Sequence, residues 1–372
     1  MWFIVDLQPH KADDFRRLSM KKKSPLLWLI PLILLLLVIP FIVPSALPVA
    51  GAEETDLPVY APVELANPHP APLLPLPSAR EPNPTPYKAN PDGFVYDSDG
   101  IAWEYRDGTL YVKIETRVIN DTKVLFTWVQ VADPSQIRTI ITGETNPVKL
   151  TKKIDAVLSI NGDWYSGRRE GAIYRNGVEM RKPSDYGNYD TLIIDDEGNF
   201  HILRRPARDA LAPYEGHILH TFMFGPGLVI NGELMTSDED TFVRNLYGSG
   251  PGMGLQNLTQ RQALCQMGPL SYLIITTEGP KKDPYKKEGG FTGAQLAQLA
   301  YDMGAVNAYN MDGGNSACLT FNNVKMNRLG QGGIREITDL VYFITAEEPP
   351  APTEVPTEVP TEAPVAEGSV EP

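Results

Sequence analysis

Cysteine is nearly absent: 2 in 372 residues, Cys265 and Cys318. That is too few for a disulfide scaffold or a cysteine-rich structural zinc site. Histidine is scarce as well, with 5 in the chain. The one metal-like spacing, His217-Ile218-Leu219-His220, has no Glu or Cys pattern nearby and reads as a histidine-bearing strand or loop. No metal and no cofactor is expected. There is also no basic stripe and no recognition motif, so nucleic acid is not an expected partner. The net charge of −13 says little about the folded part, because seven glutamates from Glu347 onward supply about half of it.

What is plentiful lies at the ends. Met20-Lys21-Lys22-Lys23 precedes an apolar run from Leu26 to Val43, and Ala50-Gly51-Ala52 follows. A cationic start, an apolar stretch and a small-x-small site form the layout of a secretory signal. The run also has the length of a short membrane-spanning helix. Pro31, Pro40 and Pro44 weaken such a span without excluding it. Residues 1–52 are therefore expected to be a signal peptide or an N-terminal membrane anchor, with Met20 a candidate start. The positive charge before the run would place everything after it outside the cytoplasm, secreted or anchored at the cell membrane.

The 34 prolines are nearly twice the average usage. Residues 53–91 carry them every few positions, which predicts a semi-rigid polyproline II spacer with no packed core of its own. Residues 347–372 repeat Thr-Glu-Val-Pro and predict a disordered acidic tail. Between them, residues 92–346 form one block of roughly 255 residues, suited to a single large domain.

Within that block, Tyr111, Lys113, Glu115 and Arg117 alternate with Val112, Ile114, Thr116 and Val118, the period of a half-buried strand. Asp107-Gly108 is a hairpin signal before it. Further strands are expected near Ala156–Ile160, Thr191–Ile194 and Leu228–Ile230, with tight turns at Asn176-Gly177 and Asn231-Gly232. Leu270–Thr277 reads as a buried strand ending at Glu278. Thr292 reads as the N-cap of a helix with Leu296, Leu299, Ala300 and Met303 on one stripe and Gly304 at its end. Ala305–Met311 returns as a strand ending at Asp312. A strand–helix–strand unit predicts two parallel strands, with ligands at their carboxyl ends, where Glu278 and Asp312 lie.

Four stretches combine polar side chains with glycine or a charged strand: Asn161-Gly162-Asp163-Trp164-Tyr165, Phe224-Gly225-Pro226-Gly227, Arg261-Gln262-Ala263-Leu264-Cys265-Gln266 and Asn310-Met311-Asp312-Gly313-Gly314-Asn315-Ser316. Singly, each is compatible with an ordinary turn. In this order, and followed by Asn327 and Arg335-Glu336, the set resembles the phosphodiester glycosidase family, and within it the bacterial branch. The resemblance covers the whole block, 92–346.

The resemblance implies an α+β domain with a mixed, largely β core and a few helices. It further implies hydrolysis of the bond between a sugar anomeric carbon and a phosphate oxygen. Such a site needs a guanidinium for phosphate, and Arg261 is the first candidate with Arg335 the second. It needs a carboxylate, for which Asp312 is favoured, with Glu278 or Asp163 as a second acid. Asn161, Asn310, Ser316, Thr292 and the backbone of Gly313 and Gly314 are candidate substrate contacts, and Trp164 and Tyr165 offer a face to a sugar ring. Asn315 stands where the family has a third glycine and Glu278 where it has Asp, which leaves a second reading open: a non-catalytic, membrane-tethered module that binds glycan or sugar phosphate. The expected substrates are sugar phosphates of cell wall or exopolysaccharide. Cys265 and Cys318 either pair, if their strands line one site, or are two inert buried thiols.

Overall fold

The computed structural model describes residues 57–65, 74–81, 87–167, 169–182, 186, 189–235, 254–279, 289–328 and 333–348. The apolar run 26–43 and the repeat tail from 349 onward lie outside these residues. No described helix is long and apolar enough to cross a membrane.

Nineteen described strands, numbered in chain order, form four sheets, and every pairing is antiparallel. The largest has nine strands. In spatial order they are β1 (Phe94–Tyr96), β2 (Ala102–Arg106), β3 (Leu110–Ile119), β4 (Thr122–Val131), β15 (Ser271–Thr277), β14 (Gln262–Gly268), β16 (Asn307–Asn310), β12 (Gly227–Ile230) and β13 (Glu233–Leu234). A second sheet orders β18 (Val324–Lys325), β17 (Leu319–Phe321), β6 (Leu158–Asn161), β19 (Ile337–Phe343) and β5 (Ile137–Thr145). The smaller sheets are β10 (Phe200–Leu203), β9 (Thr191–Asp195) and β11 (Ile218–Phe222), and the hairpin β7 (Ile173–Arg175) with β8 (Val178–Arg181).

The two large sheets pack face to face. Val112, Leu125, Leu264 and Tyr309 of the first meet Leu158, Ile160, Leu319, Phe321, Val341 and Phe343 of the second. Each outer face carries a helix, as an apolar sheet face requires. Helix α1 (Pro147–Ile154) sets Leu150 and Ile154 against Ile140, Leu340 and Tyr342. Helix α2 (Gly293–Asp302) sets Leu296, Leu299 and Ala300 against Phe126, Leu273, Ile275, Ala263 and Ala308. Covered on both faces, β15 is buried at all its positions. The result is a largely β core with two described α-helices.

Local chemistry explains most elements. Leu110, Val112 and Ile114 of β3 are buried and Tyr111, Lys113 and Glu115 half-buried, as alternation predicts, until the strand outruns its partner sheet and Val118 is left exposed. Asn176-Gly177 and Asn231-Gly232 both take positive φ, closing the β7–β8 and β12–β13 hairpins. Thr292 and Gln295 form a reciprocal capping box at the start of α2, and Gly304 leaves the helix at φ 80°. Helix α1 gave no long periodic signal; Asn146 caps it and Pro147 begins it.

Two expectations are corrected. β15 and β16 run in the same direction, as a strand–helix–strand unit demands, but β14 lies between them, antiparallel to both. The proline-rich segment is not a free spacer in its described parts. Tyr60 stacks on Trp128 with ring centroids 5.2 Å apart, the Val63 amide donates to Gln130 at 2.6 Å, Arg138 donates to the Pro75 carbonyl at 2.9 Å, and the Ile141 amide donates to the Ala79 carbonyl at 2.7 Å. Leu65, Leu74 and Ala79 are buried by this strap. Side chains of the domain supply the hydrogen bonds that a polyproline segment cannot make internally.

Candidate active site

Strand β6 ends at Asn161, whose side chain holds both ends of a distant turn. Its amide donates to the Asp312 carbonyl at 2.8 Å, and its carbonyl accepts from the Cys318 amide at 3.1 Å. Asn327 holds the same turn from the other side, donating to Ala317 and accepting from Leu319. Gly162 follows because nothing larger fits: a Cβ there would lie 1.8 Å from an Asp339 carboxylate oxygen. Gly313 is required in the same way by the Gln260 carbonyl, 2.8 Å from where its Cβ would be.

These contacts assemble a cleft of about 280 Å³ lined by Asn161, Gly162, Trp164, Ser166, Asp312, Ser316, Glu144 and the run from Arg335 to Asp339. Asp312 is half-buried at its floor. The Ser316 hydroxyl is 1 % exposed and has no protein partner. Trp164 holds φ at 56° and is 40 % exposed, with its ring over Gly167. A left-handed backbone at so bulky a residue is costly and presents the indole to the cleft. Arg335 is exposed, its amide tied to the Asn315 carbonyl at 3.1 Å, and its guanidinium has no ion-pair partner among the described residues.

Beneath the cleft, one arginine serves two buried carboxylates. Arg175, fully buried, reaches Asp163 at 2.9 Å and Asp339 at 3.4 Å. Asp163 also accepts from the Met223 amide at 2.7 Å, and its own amide donates to Asp339 at 3.0 Å. Burial first, and then the neighbouring charge of Asp163, push the Asp339 carboxyl well above the usual carboxylate range, against the pull of Arg175. The cleft therefore joins the half-buried Asp312 to a buried carboxyl whose affinity for a proton is raised.

The structure brings Asn161, Asp312, Ser316, Arg335 and Trp164 together and leaves the other expected residues outside the lining. Arg261 does not meet Asp312 in the cleft. It shares the parity of Ala263 and Cys265, the face packed on α2, and its guanidinium donates to the carbonyls of Phe291, Gly254 and Asn257 at 2.9–3.0 Å. Arg261 pegs two loops. Glu278 accepts from the Arg328 amide at 2.8 Å and pairs with its guanidinium at 3.5 Å. Asp163 is the buried partner of Arg175, and the Thr292 hydroxyl is used in the capping box. Asn310 donates to the Gly225 carbonyl at 2.7 Å, fastening the Phe224–Gly227 stretch to β16. The Gly314 amide donates to Gln260, and Tyr165 sits in a short 3-10 turn beside the cleft. Asn315, in place of a glycine, turns its side chain to Gln260 at 3.4 Å and does not line the cleft.

Sequence reading missed Asp339, Glu144 and Arg175. A lone Asp in the largely apolar Ile337–Phe343 strand was the available signal for Asp339, since such a residue is buried only with a partner. His220 is buried against Thr139, Asn176 and the Ile137 carbonyl, with its imidazole driven down to about 3 by burial; His217 pairs with Asp196 at the surface.

Cys265 and Cys318 are free and buried. One packs under α2 and the other lies in the Asp312 turn, so no pair forms. Burial raises both thiols, Cys318 to about 12. A thiol reagent at pH 8 is expected to titrate neither cysteine in the native protein and two after denaturation; one or none after denaturation without reductant would contradict this.

No curated protein matches the sequence. Among solved structures, the chain is similar to the zebrafish N-acetylglucosamine-1-phosphodiester alpha-N-acetylglucosaminidase catalytic domain, described as auto-inhibited by its pro-peptide. The identity is 16% and the TM-score 0.51, over 73% of this chain and 97% of that one. A hypothetical protein from Synechocystis is similar at 12% identity and TM-score 0.43, over 64% and 62%. A putative exported protein from Burkholderia pseudomallei is similar at 12% identity and TM-score 0.39, over 60% and 74%. The phosphodiester glycosidase family matches residues 155–344, just over half of the chain, and includes nearly every residue of the cleft. The chain belongs to the phosphodiester glycosidase family.

Proposed function

We propose that this protein hydrolyses sugar-1-phosphodiesters at the cleft, acting outside the cytoplasm on N-acetylhexosamine-type glycans of cell wall or exopolysaccharide. The observation that carries the reading is convergence. Asn161, Asp312, Ser316 and Arg335 come from motifs far apart in the chain and line one opening. The apolar run 26–43 behind three lysines supports export.

In this reading the bond between the anomeric carbon and the phosphate oxygen breaks. Water adds to that carbon, and a phosphomonoester and free sugar leave. Arg335 receives the phosphate oxygens, because its fork matches them in a bidentate way. Trp164 supplies a face for the sugar ring, and the Ser316 hydroxyl takes one of the substrate's polar groups. Asp312 supplies the carboxylate that acts at the anomeric carbon. Asp339, whose carboxyl is held above the usual carboxylate range by burial and by the charge of Asp163, supplies the second acid. Phosphate leaves readily, so the acid has less to contribute than in an ordinary glycosidase.

The test is release of reducing sugar from N-acetylglucosamine-1-phosphodiesters. Saturable binding without release would assign the cleft to the non-catalytic binding module instead. Asn315 and Glu278 were the reasons to weigh that module, and neither is among the residues that line the cleft. Arg335→Ala is expected to lower kcat/KM roughly 10- to 100-fold, the range for a charge-assisted contact, whereas Arg261→Lys is expected to act on stability rather than on KM. A normal KM in Arg335→Ala would place the phosphate elsewhere.

A further inference from the structure

The cleft has an unusual charge inventory for an anion site. Among the described residues, Arg335 is its one cationic lining residue, while Asp312, Asp339, Glu144 and Glu336 all line it. Asp339 is the buried member, already held by Arg175. Glu144 and Glu336 are exposed at the mouth, and neither has a hydrogen-bonding or ionic side-chain partner among the described residues. Pairing of β5 with β19 sets Thr145 opposite Ile337, which brings Glu144 and Glu336 to the same end of the sheet. A simple phosphodiester, a monoanion, would meet one guanidinium and a surplus of carboxylates. Like charges gathered in one cleft cost affinity.

We propose that Glu144 and Glu336 are specificity-determining residues that select substrates in which the sugar phosphate is esterified to an ammonium-bearing alcohol. This rests on the phosphodiester reading of the cleft. The phosphate of such a zwitterion lies on Arg335 and its ammonium between the two glutamates, so each charge of the ligand meets its opposite. A second observation marks the same opening as a ligand site: the Ser316 hydroxyl, buried and without a protein partner, lines it. A metal ion is a poorer occupant than an organic cation, because among the described residues no three His, Cys, Asp or Glu side chains are gathered to hold one.

The experiment compares N-acetylglucosamine-1-phosphoryl-ethanolamine with the corresponding ethyl ester, using the full chain. At low salt the ethanolamine ester is expected to have a kcat/KM roughly tenfold higher, the scale of two partly screened charge pairs, and the ratio should shrink as salt is added. In the double variant Glu144→Gln, Glu336→Gln the ratio is expected to fall to near one. A ratio near one in the unmodified protein, or a preference that survives both substitutions, overturns the proposal. If neither ester is hydrolysed, the phosphodiester glycosidase reading itself has failed. Calorimetric binding of the two esters to both proteins then decides the charge preference alone, and equal affinities overturn it.

Discussion

Asp312→Asn is expected to lower kcat about a thousandfold, equivalent to about 4 kcal/mol of barrier, while the thermal midpoint stays within about 4 °C of the unmodified protein. The two halves of that expectation come from different atoms of the same residue. The backbone carbonyl of Asp312 takes the Asn161 amide and so anchors the turn. Asparagine keeps that carbonyl, the side-chain length and the exit from β16. The side chain lines the cleft and is half-buried, so its loss of charge is felt where a sugar carbon would sit. Asn161→Ala is the converse experiment, since it removes the clamp on Asp312 and Cys318 and leaves the carboxylate in place. It is expected to cost stability first, by about 1–3 kcal/mol for the buried groups left unpaired. A folded Asp312→Asn protein with undiminished kcat would take Asp312 out of the chemistry, whatever the fate of the other residues.

Legibility in the sequence followed the range of the interaction. Turns and caps are set by a few neighbouring residues, and Asn176-Gly177, Asn231-Gly232 and the Thr292–Gly304 helix stand as read. Strand order is set by pairing across the chain, and no local pattern announces that β14 enters between β15 and β16. The same boundary runs through the site. Asp312, Ser316 and Asn161 were singled out for their place in glycine turns and at polar strand ends, and the structure sets all three in one cleft. Arg261 lies off this cleft, which the motif alone could not tell, because a motif gives residue identity but not the face of the sheet. The register that pairs Ala263 with Asn310 puts position 261 on the α2 side. Asp339 was invisible for the opposite reason. Its strand reads as plain core, and only the approach of Asp163 and Arg175 from β6 and β7 makes it a candidate acid. The proline-rich strap was read by composition, which reports what a segment cannot do alone and not what a neighbouring surface does for it.

The second large effect concerns that buried trio. Arg175→Leu leaves Asp163 and Asp339 facing each other beneath the cleft without their cation, and is expected to destabilise the fold by about 3–5 kcal/mol at neutral pH. The substitution also removes the donation to the Tyr174 carbonyl at 3.1 Å and the contact of the guanidinium with the Phe222 ring at 4.7 Å. Its pH dependence separates charge from packing. The Asp339 carboxyl lies above its unfolded value in the native protein. The stability linked to its proton is therefore fully present below the unfolded value near 4 and is lost as pH rises through the folded one. Removing the arginine takes away the larger of two lowering influences, leaving only the Asp163 amide, and drives the Asp339 carboxyl higher still. The deficit of the variant should then be smaller at pH 5 than at pH 8, whereas lost packing alone would cost the same at both. Adding Asp339→Asn removes one of the two stranded carboxyl groups and is expected to restore part of the loss at pH 8. That coupling is far from additive, as neighbours in one network require. Equal deficits at the two pH values, or strict additivity of the pair, would mean that the two carboxylates do not depend on Arg175, and Asp339 would lose its standing as the acid of the cleft.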